Sequence, residues 1–206
     1  MSGKDRETRD RLLEAATTLF AADGFKTVTV RDICQAAGAN VAAVNYHFGD
    51  KMGLYHDVLN EAIEKMHGTT EAARDEGKGK APEEKLEILV RVFIDRAVKQ
   101  GSAPWIHQLM MHEMAEPTPA LDLVVERVLR PRFDYLKEIA AELLGCDCAD
   151  ARVEKAAMSV QSQLMLPIKN PFARQLMPEL SREEALDGLA AHVVRFSLAG
   201  ICAMRD

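Results

Sequence analysis

The chain has 206 residues and a formal net charge of −6; 48% of its residues are apolar and only 5% aromatic. That supports one large domain, or a small one joined to a larger one, around a real core, and the wealth of Ala, Leu and Met favours helices over strands. No uninterrupted apolar run approaches the ~18–20 residues of a bilayer span, and the charged start, Met1 to Arg11, lacks the apolar stretch of an export signal. The expectation is a cytoplasmic protein without a membrane role, whose cysteines Cys34, Cys146, Cys148 and Cys202 are reduced thiols.

Leu12, Leu13, Ala16, Leu19 and Phe20 share one face of a first helix, about Asp5 to Ala22, which stops at Asp23-Gly24. Thr29, with Asp32 three residues on, caps a short second helix that turns Val30, Ile33 and Ala37 inward. Gly38 ends it, because the sharp turn needs a residue that tolerates positive φ. Asn40 caps a third short helix, Val41 to His47, and Asp50 caps a fourth carrying Leu54, Val58, Ala62 and Met66 at helical spacing.

Residues 68–81 are polar, contain glycine and lack apolar periodicity, so they read as the frayed end of helix four and a mobile loop. Pro82 suits the first turn of the next helix. Helices are then expected at 82–100, 103–115, 119–144, 150–168 and 181–204, with breaks at Gly101, Glu116-Pro117, Gly145 and Asn170-Pro171 and a kink at Pro131. The fold class is all-α: an N-terminal three-helix head, residues 1–55, and a helical body, residues 56–206.

Residues 28–48 read as a helix-turn-helix, two short helices around a tight glycine-containing turn. A helix of about two turns fits the ~12 Å major groove, and its first residues reach base edges. Ile33, Val44 and Phe48 brace it, which leaves Asn40, Asn45, Tyr46 and His47 without a core role. Charge neither supports nor forbids nucleic acid: residues 1–55 hold seven Lys or Arg and seven Asp or Glu, so residues 56–206 carry the whole −6. The arm Lys4, Arg6, Arg9 and Arg11 alternates with acids, the pattern of a solvated helix face rather than a minor-groove arm.

The run Thr29-Val-Arg-Asp-Ile33 through Gly38, then Asn45-Tyr-His-Phe48 and Asp50-Lys-x-Gly-Leu-Tyr55, resembles the DNA-binding domain of the TetR family over about residues 8–60. Glu113-x-x-x-Pro117-x-Pro-Ala-Leu121, Leu129-Arg-Pro131 and Leu144-Gly145 are similar, more loosely, to the C-terminal domain of a TetR branch linked to efflux and drug sensitivity. The resemblance implies that Tyr46, His47 and Lys51 contact phosphates, with backbone N–H groups at the start of helix four, that Thr29 lies near a phosphate, and that Asn40, Val41, Ala42 and Asn45 face the groove floor. The sequence departs from the family pattern at Asn45, which stands where a tyrosine is usual. Asn pairs bidentately with adenine and Val41 can touch a thymine methyl, so A·T pairs are expected beneath this helix.

The body is rich in Met and Leu. Phe93, Trp105, Leu109, Met110, Glu113, Met114, Phe133, Gln161 and Met165 are the expected lining of a ligand cavity, with Glu113 in need of a cationic or donor partner if buried and expected to help read a polar or cationic ligand. The bland reading is that most of these are plain core. His107 and His112 are five apart, not at the helical spacing of metal ligands, and Cys146-Asp-Cys148 has no third ligand nearby, so no metal and no cofactor is expected. No Gly-rich phosphate loop, G-x-S-x-G, H-E-x-x-H or C-x-x-C appears, so no enzyme is expected.

The final helix carries an apolar stripe, Leu186, Leu189, Val193, Phe196 and Ile201, and small residues that allow close approach. The resemblance implies a homodimer through residues 150–168 and 181–204, two heads on a double-stranded DNA palindrome, and a small-molecule effector that tilts helix four and releases the operator. The expected function is a transcriptional repressor of that kind. The rival is a helical ligand-binding or interaction protein without DNA function.

Overall fold

Apolar residues recur at helical spacing along almost every segment. In the computed structural model, which describes residues 3–99, 104–165, 175–181 and 183–205, the described residues form helices joined by short turns, with no strand among them. The expected ends and breaks at 100, Gly101, 103, 166–168 and Asn170-Pro171 lie outside the described residues.

Local chemistry sets the first boundaries. Helix α1, Gly3–Thr27, is interrupted at Gly24, whose φ of 77° and ψ of 164° are not helical. Helix α2, Val30–Ala37, has a reciprocal cap: Thr29 Oγ1 accepts from the Asp32 amide at 3.3 Å, and the Thr29 amide donates to Asp32 Oδ2 at 2.9 Å. Gly38, at φ 60°, closes α2 by donating to Cys34 and Gln35 carbonyls. In α3, Val41–Phe48, Asn40 Oδ1 accepts from the Ala43 amide at 2.9 Å. In α4, Lys51–Gly77, Asp50 Oδ1 accepts from the Gly53 amide at 2.8 Å.

The chain divides into two packing units. The first comprises the described residues of Met1–Lys65 and Ala103–Val125. It holds α1 to α3, the first part of α4, α6 (Pro104–Ala115) and α7 (Leu121–Val124). Its core is Leu12, Ala16, Phe20, Ile33, Val44, Leu54, Tyr55 and Val58, all fully buried. Helix α6 lies along α1. His112 Nε2 stands 3.3 Å from the Ala22 carbonyl and Lys26 pairs with Glu116 at 3.5 Å.

The second unit comprises the described residues of Met66–Ser102 and Glu126–Asp206. It holds the rest of α4, α5 (Pro82–Phe93) with its π-helical continuation Ile94–Lys99, α8 (Arg130–Leu144), α9 (Ala151–Met165), a short 3-10 turn at Pro178–Ser181, and α10 (Glu183–Cys202). Leu86, Leu89, Leu136, Ile139, Val153, Val160, Leu164, Val193 and Ile201 form its core.

Three details depart from expectation or add to it. Helix α4 does not fray at Gly68 but runs on to Gly77. The stripe that holds it is made of small residues, Thr69, Thr70, Ala73 and Gly77, all buried, which register poorly in a hydrophobic pattern. The Tyr135 hydroxyl donates to the Ala73 carbonyl at 3.4 Å, and Arg74 forks onto Glu138 with two contacts of 2.7 Å. Secondly, the turn before Pro131 is π-helical, Val125–Leu129, and so accommodates the proline's lack of an N–H. Thirdly, Glu184–Cys202 is long and apolar enough by length and composition to cross a bilayer, despite Asp187 and Arg195. One stripe of it, Leu186, Val193 and Ile201, is buried in the second core.

Candidate nucleic-acid interface

Helix α3 and its cap Asn40 have an inward and an outward side. Val44 is fully buried and Phe48 half-buried against the head, while Asn40, Val41, Ala42, Asn45 and Tyr46 are exposed. Val41 is 44% and Tyr46 73% exposed, a high value for an apolar and an aromatic side chain with no core role. The Tyr46 ring meets His47 edge-on at 4.8 Å, and His47 is half-buried. Thus the expected groove residues share one solvent-facing surface.

Lys51 opens α4, half-buried, with Nζ 4.4 Å over the Phe25 ring. Burial lowers its pKa, while the Asp32 carboxylate acts the other way. Asp32 is held below the usual carboxylate range, chiefly by the Thr29 hydroxyl and then the Thr29 amide. Thr29 is exposed, yet its hydroxyl is engaged: it donates to Asp32 Oδ2 at 2.6 Å and accepts from the Asp32 amide. Its first duty is therefore the cap of α2. The first turn of α4 adds backbone N–H groups without intrahelical acceptors.

Two residues that the sequence reading passed over position this surface. Arg9, read as part of a solvated arm, stacks 5.1 Å over Phe48 and reaches Asp57 Oδ2 at 2.5 Å, tying α1 to the end of α3 and to α4. No local pattern signals a pair 48 residues apart. Gly53 is required by space: a Cβ there would lie 1.9 Å from the Phe48 carbonyl oxygen. The α3–α4 turn closes only because that atom is missing.

The expected ligand set does not gather in one place within either unit. Phe93 is buried in the second core, Phe133 half-buried, Gln161 half-buried with an unpartnered buried Oε1, and Met165 exposed. In the first unit Trp105 is half-buried beneath Lys65 Nζ at 5.2 Å, Leu109 fully buried, Met110 half-buried and Met114 74% exposed. Glu113 is 1% exposed, and its partners are donors rather than a cation. It accepts a short hydrogen bond from the Tyr55 hydroxyl and two more from Thr118, from the amide at 3.1 Å and Oγ1 at 2.9 Å. A cavity of about 190 Å³ in the second unit is lined by His67, Thr70, Glu71, Arg74, Arg127, Val128 and Pro131, and a small one of about 30 Å³ in the first unit is bordered by Glu113. Of the nine expected residues, Glu113 alone borders either. Only Phe93, Leu109 and Glu113 of the nine are buried, so the hydrophobic pattern marked neither the core nor the residues that face empty space.

Comparison with known proteins gives two family matches. The family of bacterial regulatory proteins called tetR matches residues 12–58. The C-terminal domain described as that of the HTH-type transcriptional dual regulator CecR matches residues 82–201. The chain is similar to CecR of Shigella flexneri, 28% identical over 162 residues that cover 74% of this chain and 72% of that protein. It is also similar to the transcriptional repressor KstR2 of Mycolicibacterium smegmatis, 36% identical over 137 residues, 65% of each chain. Among solved structures, a TetR-family transcriptional regulator from Streptomyces coelicolor has a TM-score of 0.67 at 21% identity, covering 95% of this chain and 90% of that one. The fatty acid degradation regulator FadR from Bacillus halodurans has a TM-score of 0.64 at 20% identity, covering 94% and 95%. With one family match over α1 to α4 and the other over α5 to α10, this chain belongs to the TetR family of bacterial transcriptional regulators and carries a C-terminal domain of the CecR type.

Proposed function

We propose that this DNA-binding regulator is a homodimeric cytoplasmic repressor that holds a palindromic operator through α3 and leaves it when a small molecule binds the second unit. The observation that carries this reading is the solvent-facing surface of α3, where Asn40, Val41, Ala42, Asn45 and Tyr46 are exposed. Asn45 is suited to adenine and Val41 to a thymine methyl, while Tyr46, His47 and Lys51 are suited to phosphates.

One recognition helix of two turns gives little affinity, and two heads about 34–36 Å apart read a palindrome. The outward faces of α9 and α10 support the second copy. Met158 and Met165 are exposed on α9, and α10 presents Gly188, Ala191, Phe196, Ala199 and Gly200 to solvent. Added Cβ atoms at Gly188 and Gly200 would meet nothing within 4 Å, so another helix could approach closely there. Release is a shift between two populations, and the effector moves it only by its difference in affinity for the two. A hundredfold induction corresponds to about 2.7 kcal/mol of coupling.

The test is selection of bound duplexes from a random pool, followed by titration across salt concentrations. The expected result is a palindrome with A·T pairs under Asn45 and Val41, and binding that weakens steeply as salt rises. Alanine at Tyr46 or Lys51 is expected to weaken binding to all duplexes without loss of helical content. Binding indifferent to both changes and to salt would instead favour a helical carrier or interaction protein.

A further inference from the structure

A guanidinium is seldom stripped of water without a carboxylate beside it, because the desolvation cost is offset only by an opposite charge in good geometry. Arg132, on the first turn of α8, departs from that rule. It is 6% exposed and its Nε has no hydrogen-bond partner. Burial alone lowers its pKa, to about 10, so it stays charged at neutral pH. The guanidinium stands 4.9 Å over the Phe93 ring, a face that attracts a cation but supplies no countercharge. Its exposed neighbour Arg130 has Glu126, and Arg74 has Glu138.

Two further observations bear on this place. The backbone leaves α geometry beside both partners: α5 becomes π-helical at Ile94, directly after Phe93, and a π-helical turn ends at Leu129, directly before α8. Such widened turns recur at ligand sites. Pro131, next to Arg132, borders the cavity of about 190 Å³, whose lining includes neither Arg132 nor Phe93 and in which His67 pairs with Glu71 and Arg74 with Glu138.

We infer that the effector is a small organic acid, its carboxylate neutralised by Arg132 and its apolar part lying against Phe93. This rests on the ligand-released reading above and adds the chemical class. A planar guanidinium offers a fork of donors matched to a carboxylate, and an acid meets the unpartnered Nε of Arg132, which a neutral or cationic ligand would leave without a countercharge. The acid therefore favours whichever arrangement lets its carboxylate meet the guanidinium, which is the differential affinity that release needs.

The test is calorimetric titration of the full chain with straight-chain carboxylates from butyrate to decanoate and with benzoate, each beside its neutral primary alcohol. At least one acid is expected to bind saturably and about tenfold or more tighter than its alcohol. R132M, apolar and of similar length, is expected to erase that preference while keeping the melting temperature, and R132K to retain part of it. If R132M does not fold, the comparison of acid and alcohol on the wild-type chain decides. The inference is overturned if no acid exceeds its alcohol, or if R132M binds acids as the wild type does. A neutral compound that releases operator DNA equally from wild type and R132M would also overturn it, leaving the regulator intact. Failure to bind any duplex would instead remove the regulator reading, and the calorimetric result would stand by itself.

Discussion

At the scale of single residues, the head depends on buried polar groups finding partners. Glu113 accepts from the Tyr55 hydroxyl and twice from Thr118, so its removal leaves a buried phenol and two half-buried donors without this acceptor. Glu113→Ala is expected to cost about 3 kcal/mol in urea unfolding, and Glu113→Gln less, because the amide oxygen still accepts. Burial, and then the Glu113 bond, push the Tyr55 phenol above its ordinary value of about 10. Below pH 10 the phenol is neutral whether the chain is folded or not, and it adds no pH dependence. Above pH 10 the unfolded chain ionises first, so stability falls as pH rises. Urea midpoints measured from pH 9 to 11 are expected to drop more steeply for the wild type than for Tyr55→Phe. The caps were plain in the sequence, because Thr29 with Asp32 and Asn40 before Val41 are short-range signals. Asn40→Ala is expected to lose about 1 kcal/mol and Asn40→Ser almost nothing. The Arg9–Asp57 and Tyr55–Glu113 pairs were not legible, since each joins residues 48 or more positions apart.

At the scale of elements, close approach decides what a helix tolerates. A Cβ at Gly53 would meet the Phe48 carbonyl at 1.9 Å, and backbone cannot yield as a side chain can. Gly53→Ala is expected to cost more than about 2 kcal/mol and to abolish duplex binding by displacing α3. At Gly77 the nearest atom is the Tyr135 hydroxyl oxygen, 2.7 Å from an added Cβ. Gly77→Ala is expected to destabilise the wild type but to become neutral or stabilising on a Tyr135→Phe background, where the helical preference of alanine is no longer opposed. A double-mutant cycle in urea reads that difference. This contact also explains why the end of α4 escaped the sequence reading. Thr69, Thr70, Ala73 and Gly77 pack through shape, and hydropathy records almost nothing of it. By contrast, α2 and α3 were legible because glycine, cap and apolar residue each fall where the turn demands them.

At the scale of the whole molecule, the all-α class and the head were readable, but which helix α6 packs on was not. Helix α6 joins the first unit through His112 and Glu113, with Glu116 just beyond its end, polar residues whose partners a periodicity cannot name. The outward face of α10 carries Phe196 at 64% exposure, its ring stacked on His192 of the same helix at 5.9 Å. Phe196→Glu is expected to leave folding stability within about 0.5 kcal/mol per subunit, as for other surface changes, yet to shift sedimentation velocity from dimer toward monomer. A monomeric wild type in that experiment would contradict the paired-head reading.

The division of duties within α3 has a consequence for how such regulators diverge. Val44 and Phe48 maintain the architecture, while Val41, Ala42 and Asn45 owe it little. On the proposed reading, substitutions at those three sites retune which promoter is addressed at small energetic penalty, so specificity and foldability drift almost independently. A designer wishing to rewire the circuit would therefore vary 41, 42 and 45 together and leave the scaffold behind them alone.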